Sequence, residues 1–370
     1  MRVVIACGGT GGHLFPGLAV AQTLKERGHE ILLLVSEKAI DAQALKAHPD
    51  FRSEKLPSVG LPSLLSPALI RFISRTWESM GECKQIYRKF RPDAVLGMGG
   101  FTSTAPLLAG RLAKIPTFIH ESNSIPGKAN KLASRFVDHV LLGFQACERF
   151  FPGKKCSVVG TPVRKDLGER IPREEALAIF QLDPALRTLL VMGGSQGAAG
   201  INQLLYKAAP LLRDAKVQII HLTGEREDRL AAANYLREQV PAYVAPFHHR
   251  MQEVYSAADL VVSRAGAASL SELARFGLPS ILVPYPHAAE NHQEINADIF
   301  VEAGAAEKFL ESNTSPDALA RRIAELLTDN TAREHMAAAA LAAAPADSAA
   351  KVADVIEQTV RAKSGQAPLN

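Results

Sequence analysis

A short apolar run that ends in a cluster of glycines and passes into a helix constrains this chain more than any other feature. Arg2-Val3-Val4-Ile5-Ala6 leads into Cys7-Gly8-Gly9-Thr10-Gly11-Gly12-His13-Leu14-Phe15-Pro16-Gly17. A β-branched run, a glycine turn and a proline opening an amphipathic segment read as strand, tight turn and helix. Glycines at 8, 9, 11 and 12 remove the Cβ atoms from the turn, so its backbone can take left-handed conformations and press N–H groups against a phosphate or another bulky ligand. His13 sits at the helix start, where the dipole would hold it beside an anionic or carbonyl-rich ligand. Taken alone, the turn reads equally well as a structural connection with an incidental histidine.

The pattern recurs along the chain. Apolar runs at 30–35, 51–56, 93–97, 116–120, 139–142 and 157–159 alternate with helical segments that include 18–26, 101–113 and 128–135. After Pro162 the logic restarts with an apolar run at 187–192, then Gly193-Gly194-Ser195-Gln196-Gly197-Ala198 and a helix through Leu212. Further strands are expected at 217–222, 243–245, 260–263, 280–283 and 307–310. Short apolar strands alternating with helices specify parallel sheets covered on both faces. The expected fold is therefore α/β, with two doubly wound, Rossmann-like domains that each begin at a glycine turn. The chain's 370 residues, 47% of them hydrophobic, suffice for two cores. Pro162 restricts Thr161 and cannot continue a strand ladder, which makes Gly160–Arg164 the linker. Domains are expected at 1–162 and 163–345, with an alanine-rich, helical 346–370 packing back on the first. Ligands of such sheets bind at strand carboxyl ends, so the polar residues that follow strands in both halves are expected to converge on an interdomain cleft.

Lys plus Arg number 42 against 38 for Asp plus Glu, a net charge of +4 that does not call for nucleic acid. Cys7, Cys83, Cys147 and Cys156 have neither metal-ligand spacing nor a paired framework, as in a reducing compartment. No signal-peptide run precedes the first strand, and no stretch of about 18 apolar residues is present to span a bilayer. The expectation is a cytoplasmic protein whose membrane contact is peripheral.

Several polar clusters follow strands. Gly97-Met98-Gly99-Gly100-Phe101-Thr102-Ser103 offers N–H donors at a helix start, or is a close-packed turn. His120-Glu121-Ser122-Asn123 supplies donors and acceptors at a strand end, or caps the turn that follows. At Gly193–Ala198, Ser195 can add a hydroxyl to the N–H groups around a diphosphate. In Ser263-Arg264-Ala265-Gly266-Ala267-Ala268-Ser269-Leu270-Ser271-Glu272, small residues admit a ligand to the backbone; Glu272 is suited to two ribose hydroxyls, or is a solvated helix glutamate. Pro284–His287 and Glu290–Ala297 form a polar helix start whose amides can read sugar hydroxyls. A dehydrogenase would carry G-x-G-x-x-G and an acid at the end of the second strand. Here the first turn holds two glycine pairs and the second strand ends Leu34-Val35-Ser36-Glu37.

In these motifs and their order, nearly the whole chain resembles the MurG-type glycosyltransferases. That resemblance implies a GT-B fold and transfer of N-acetylglucosamine from UDP-N-acetylglucosamine to undecaprenyl-pyrophosphoryl-N-acetylmuramyl-pentapeptide, lipid I, giving lipid II for the peptidoglycan cell wall. It implies acceptor binding in the N-terminal domain and donor binding mainly in the C-terminal one. By the same resemblance Thr10, Gly11 and Gly12 match the loop near the donor sugar, and Asn123 a sugar-contacting asparagine. Arg164, Ser195 and Gln293 match donor-binding residues, while Ala267, Ala268, Ser269, Leu270, Ser271 and Glu272 match the stretch around the uridine and ribose. Phe247 and His248 occupy the loop that borders the uracil, with a histidine as a departure. His292 and Gln293 stand where some members carry paired glutamines.

The implied chemistry is displacement at the anomeric carbon with inversion, the MurNAc 4-hydroxyl attacking as UDP leaves. His13, with an unperturbed pKa of about 6.5, is the candidate base, and Glu121 or a water relay is the alternative. Gly193–Gly197, Ser195 and Arg164 would stabilise the leaving charge. No Asp-x-Asp pair occurs, so no cofactor is expected beyond a stimulatory divalent metal. The stretch from Leu61 to Trp77, with Arg71 and Arg75 and then Lys84, Arg88, Lys89 and Arg91, reads as an interfacial helix for the anionic cytoplasmic face of the inner membrane, or as a helix packed on the sheet. A UDP-N-acetylglucosamine epimerase, a transferase with another acceptor and a nucleotide-binding module are the competing functions.

Overall fold

The computed structural model describes residues 1–46, 48–57, 68–194, 197–343, 345 and 347–364. The chain divides into two compact units, Met1–Lys165 with the C-terminal segment from Asp347, and Asp166–Ala346. In the first, β1 (Arg2–Ala6), β2 (Glu30–Ser36), β3 (Arg52–Leu56), β4 (Ala94–Gly97), β5 (Thr117–Glu121), β6 (His139–Leu142) and β7 (Cys156–Val158) form one sheet in the order β3-β2-β1-β4-β5-β6-β7. Every neighbouring pair is parallel, and Ile5 of β1 registers with Leu33 on one side and Leu96 on the other. In the second, β8 (Arg187–Met192), β9 (Val217–Leu222), β10 (Ala242–Ala245), β11 (Leu260–Ser263), β12 (Ser280–Leu282) and β13 (Ala306–Lys308) form a parallel sheet in the order β10-β9-β8-β11-β12-β13. Strand order reverses between β1 and β4 and between β8 and β11, the switch points where doubly wound sheets open a crevice for ligands.

The strands are apolar because both faces are covered: Val3, Ile5, Leu33 and Leu96 face one core of the first unit, and Val4, Leu32, Leu34 and Val95 the other. The first helix departs from the sequence expectation. It runs Gly11–Glu26 and takes the glycine turn into its own first turn, with Pro16 inside it. A proline there has no N–H for the Gly12 carbonyl, so the ladder lacks one bond beside the turn. Nor is the helix amphipathic. It is buried from Leu14 to Leu24 apart from a few positions, because the Ser348–Ser364 helix covers its outer face with Val352, Ala353 and Ile356. Arg27 donates to Asp354 at 2.7 Å, and His29 Nε2 lies 2.9 Å from Glu357. The segment expected as one helix over 101–113 begins with a tight 3-10 turn, Phe101–Ser103, and continues as Thr104–Leu112.

Residues 58–67, including Leu61, Leu64 and Leu65, lie outside the described residues, and a helix spans Ala68–Phe90. Its Met80, Cys83, Tyr87 and Phe90 are buried, while Ile70 and Trp77 are 76% and 66% exposed beside the exposed Lys84, Arg88 and Lys89. Among the described residues no helix is long and apolar enough to cross a membrane.

Candidate active site

Two turns meet at the switch point of the first unit. The Gly9 N–H and both the N–H and the hydroxyl of Ser36 donate to Asp41 Oδ2 at 2.9, 2.9 and 2.5 Å, which ties the first glycine turn to the end of β2. Lys38 Nζ donates to the Gly9 carbonyl at 2.8 Å. From the second turn, Thr102 Oγ1 donates to the Gly8 carbonyl at 3.3 Å and Ser103 Oγ to the Ala6 carbonyl at 3.1 Å. His13 lies between the turns. A Cβ added to Gly99 would come within 3.0 Å of its Cδ2 and Nε2, and one on Gly100 within 3.2 Å of its Cε1. Both glycines have positive φ, +110° and +71°, so space and backbone conformation alike require glycine beneath the ring. On the exposed side, His13 Nδ1 lies 3.1 Å from Thr10 Oγ1.

The pKa of His13 differs from the starting expectation of an unperturbed ring. Burial pushes it down to about 4, with the Asp41 carboxylate opposing and Lys38 reinforcing the shift. The imidazole is therefore neutral at neutral pH. His120, fully buried, is likewise held down to about 4 by burial. Its Nε2 lies 2.9 Å from the Gly160 carbonyl, which can only accept, so Nε2 carries the proton and Nδ1 faces Ser122 Oγ at 3.3 Å.

Glu121 is buried, and four donors converge on it: the Asn123 N–H (2.9 Å) and Nδ2 (3.2 Å) on one oxygen, the Gly127 N–H (3.0 Å) and Asn130 Nδ2 (2.7 Å) on the other. Burial raises its pKa against those bonds. Its carboxylate shapes the turn that presents Asn123. Arg164 packs its guanidinium over the Phe15 ring, 4.5 Å from the centroid, and so belongs with the first glycine turn.

In the second unit the turn after β8 is equally constrained. A Cβ on Gly193 would fall 2.3 Å from Ala198 Cβ, and one on Gly197, whose φ is +74°, 2.4 Å from the Thr223 carbonyl. The helix Ala199–Asp214 starts directly from this turn. Ser195 and Gln196 lie outside the described residues. Across the switch point, the helix Ala267–Arg275 starts at Gly266. Leu270 is wholly buried with its N–H donating to the Gly266 carbonyl at 3.0 Å, and Ser271 Oγ donates back to the Ala267 carbonyl at 3.0 Å, so both serve the helix, whereas Ala268 and Ser269 are half-buried. Glu272 accepts from the Tyr255 hydroxyl at 2.7 Å.

Gln293 has a fixed amide. The N–H groups of Ala265 and Tyr285 donate to its Oε1 at 3.3 and 3.0 Å, which turns its NH2 away from them as a donor. His292 Nδ1 instead lies 2.7 Å from the Ala289 carbonyl. His248 turns inward, with Nε2 2.9 Å from Glu253 Oε2 and its ring centroid 5.3 Å from that of Phe180 in an edge-on contact, while Phe247 is exposed.

Sequence reasoning missed Asp41, Asn130, Tyr255 and Glu311. Glu311 packs its carboxylate against Gly200 in the first turn of the 199–214 helix and pairs with Arg264 at 2.6 Å. The acid after the second strand was in view five residues beyond Ser36, and it serves the protein's own backbone. The other three carry no local signal.

The family model of the glycosyltransferase family 28 N-terminal domain matches residues 3–142 and that of the C-terminal domain residues 188–358. The UDP-N-acetylglucosamine–N-acetylmuramyl-(pentapeptide) pyrophosphoryl-undecaprenol N-acetylglucosamine transferase of Geobacter metallireducens is 36% identical over 96% of this chain and 97% of its own. The chain belongs to the MurG family of glycosyltransferases. The enzyme of the same description from Thermodesulfovibrio yellowstonii is also 36% identical, over 98% of this chain and all of its own length. Among solved structures, MurG of Acinetobacter baumannii covers 96% of the chain and is itself covered to 99%, at 27% identity and a TM-score of 0.76. The two parallel-sheet units are thus the two halves of a GT-B fold, and the two glycosyltransferase family 28 models take in both switch points.

Proposed function

We propose that this protein transfers N-acetylglucosamine from UDP-N-acetylglucosamine to the MurNAc 4-hydroxyl of lipid I with inversion, giving lipid II for peptidoglycan synthesis. The near full-length match to transferases of that description carries the reading, and the geometry supports a role for each part. Glu272, oriented by Tyr255, accepts from the ribose hydroxyls. Gln293 directs its NH2 to the sugar, since two backbone N–H groups hold its oxygen. The Gly193–Ala198 turn and the helix after it supply N–H donors to the diphosphate, with the Ser195 hydroxyl as a further donor.

The acceptor oxygen bonds to the anomeric carbon as the bond to the diphosphate oxygen breaks, and the hydroxyl proton passes to His13. Nδ1 is the nitrogen a substrate reaches, with the Thr10 hydroxyl holding its place in the free enzyme. Burial suits this role by keeping the ring neutral, at the expense of basicity. Glu121 is a weaker candidate for base, because four donors already occupy its oxygens; it positions Asn123 instead. The reaction draws on no resident cofactor, and a divalent cation does no more than stimulate it. The protein works at the cytoplasmic face of the inner membrane as a peripheral protein, docking on anionic lipid through Ile70, Trp77 and the basic residues of the same helix.

Incubation with radiolabelled UDP-N-acetylglucosamine and a lipid I analogue tests the reading. Label in the lipid fraction supports it. Label in an epimeric nucleotide would make the protein an epimerase, and an unchanged donor would leave only a binding module.

A further inference from the structure

At the amino ends of β8, β11 and β12, the sheet edge opposite the glycine turns, the second unit holds a cavity of about 400 Å³. Arg170, Arg173, Arg187 and Arg333 line it, faced by Asp259 and Glu334, which leaves a surplus of two positive charges. Asp259 is already engaged: Arg173 Nη2 and the Thr188 N–H donate to Oδ2 at 2.9 and 2.8 Å, and Arg187 Nη1 to Oδ1 at 3.3 Å. The arginines are built in place. Arg173 also donates to the Pro184 and Leu186 carbonyls at 3.0 and 2.8 Å, and Arg333, 8% exposed, to the Leu326 carbonyl at 2.6 Å. Arg173 Nε is buried and, among the described residues, has no partner. Among the described residues Arg170 makes no hydrogen bond and no ion pair within 4 Å, Asp259 acting on it only at longer range. Burial holds the Arg170 and Arg333 guanidinium groups below their usual range, with Arg187 adding to the effect on Arg333. Positive charge gathered in a recess in excess of the two carboxylates there is costly, and an anion bound between the arginines would relieve it.

We propose that this cavity binds a soluble, phosphate-bearing small molecule at a site separate from the glycine turns. Planar guanidinium forks match phosphate oxygens in pairs, and a surplus of two charges matches a phosphate monoester or a diphosphate. The volume exceeds what a lone phosphate needs and falls in the range of small-molecule sites. Ile171, Leu278, Pro279 and Ala337 complete the wall and give the body of the ligand an apolar surface. The site does not depend on the transferase reading.

Calorimetric titration of the full chain with phenyl phosphate and with pyrophosphate, in the presence of excess UDP, tests it. Both probes should still bind with UDP present, and Arg170→Gln combined with Arg187→Gln should weaken them by about ten-fold or more. Arg170→Gln alone, which removes no bond of the fold, should weaken them in the same direction. No binding of either probe to the unaltered protein, binding that both variants retain, or displacement by rising UDP would overturn the proposal. Sedimentation with phosphatidylglycerol vesicles separates the sources of phosphate. Vesicle binding that depends on Arg170, without binding of the soluble probes, would assign the arginines to a lipid headgroup and also overturn it. Failure of UDP itself to bind would count against the donor site alone, because the arginine-dependent signal is read either way.

Discussion

As the proposed base, His13 has to be neutral, and its surroundings favour that form. With its pKa pushed down to about 4 by burial, it is deprotonated across the whole physiological range, and protonation removes activity only as the pH falls towards that value. The kcat/KM of the unaltered protein should accordingly be the same at pH 5.5 as at pH 7.5; a decline centred near the ordinary histidine value of about 6.5 would exclude His13 as the group that titrates. His13→Ala should lower kcat by about 10²- to 10⁴-fold while donor KM stays near its starting value. A rise in donor KM with kcat intact would make His13 a binding residue. That His13 stands between the glycine turns at the candidate site was legible from its place after four glycines. Its neutrality was not, because the burial comes from Gly99 and Gly100, which reach the ring from another strand end.

Among the elements, the strands were the most legible. Runs at Arg2–Ala6, His139–Leu142, Arg187–Met192, Val217–Leu222 and Leu260–Ser263 form strands with the bounds expected of them, because a strand covered on both faces is apolar at most positions and stops where that run stops. The start of the first helix was misread for a physical reason. Gly11 and Gly12 have poor helix propensity, yet they sit in a first turn whose N–H groups have no helical partner in any case. The turn after β8 makes a sharper test of what such glycines do. Gly193→Ala should destabilise the second unit by about 1–3 kcal/mol through overpacking and abolish UDP binding, since its Cβ would strike Ala198. Gly28→Ala, at φ +82° with open space around it, should cost about 1–2 kcal/mol of backbone strain and leave UDP binding unchanged. Equal loss of binding in both would reduce the glycine turn to a stability feature. The Ala68–Phe90 helix divides its faces between two jobs, which the sequence left as alternatives. Met80, Cys83, Tyr87 and Phe90 pack inward and Trp77 stands out. Trp77→Ser with Arg88→Glu should therefore weaken sedimentation with anionic vesicles while thermal stability is kept, and undiminished sedimentation would remove this face as the docking surface.

Across the whole molecule, four desolvated histidines shape the response to acid. His13, His120 and His139 are held down to about 4 and His221 to about 3, each chiefly by burial. In the unfolded chain these rings titrate near 6.5, so between that value and about 4 the unfolded state binds more protons than the folded one. Stability is then fully present above the unfolded value, falls as the pH drops through this window, and levels off below the folded values. Each ring so shifted weighs against the folded state by on the order of a few kcal/mol across that window. Three lie in the first unit and one in the second, so urea unfolding followed from pH 7 to pH 4.5 should show the midpoint of the first unit falling further. A midpoint independent of pH over that window would mean that the rings protonate without penalty in the fold. His221 offers the cleanest check, because its two nitrogens lie 2.8 Å from the Tyr235 hydroxyl and 3.0 Å from Asn202 Oδ1, deep in the second unit. His221→Gln keeps a donor and an acceptor but cannot take up a proton. It should lower stability at pH 7 and flatten the acid response of the second unit, and a slope unchanged by the substitution would assign that response to other groups.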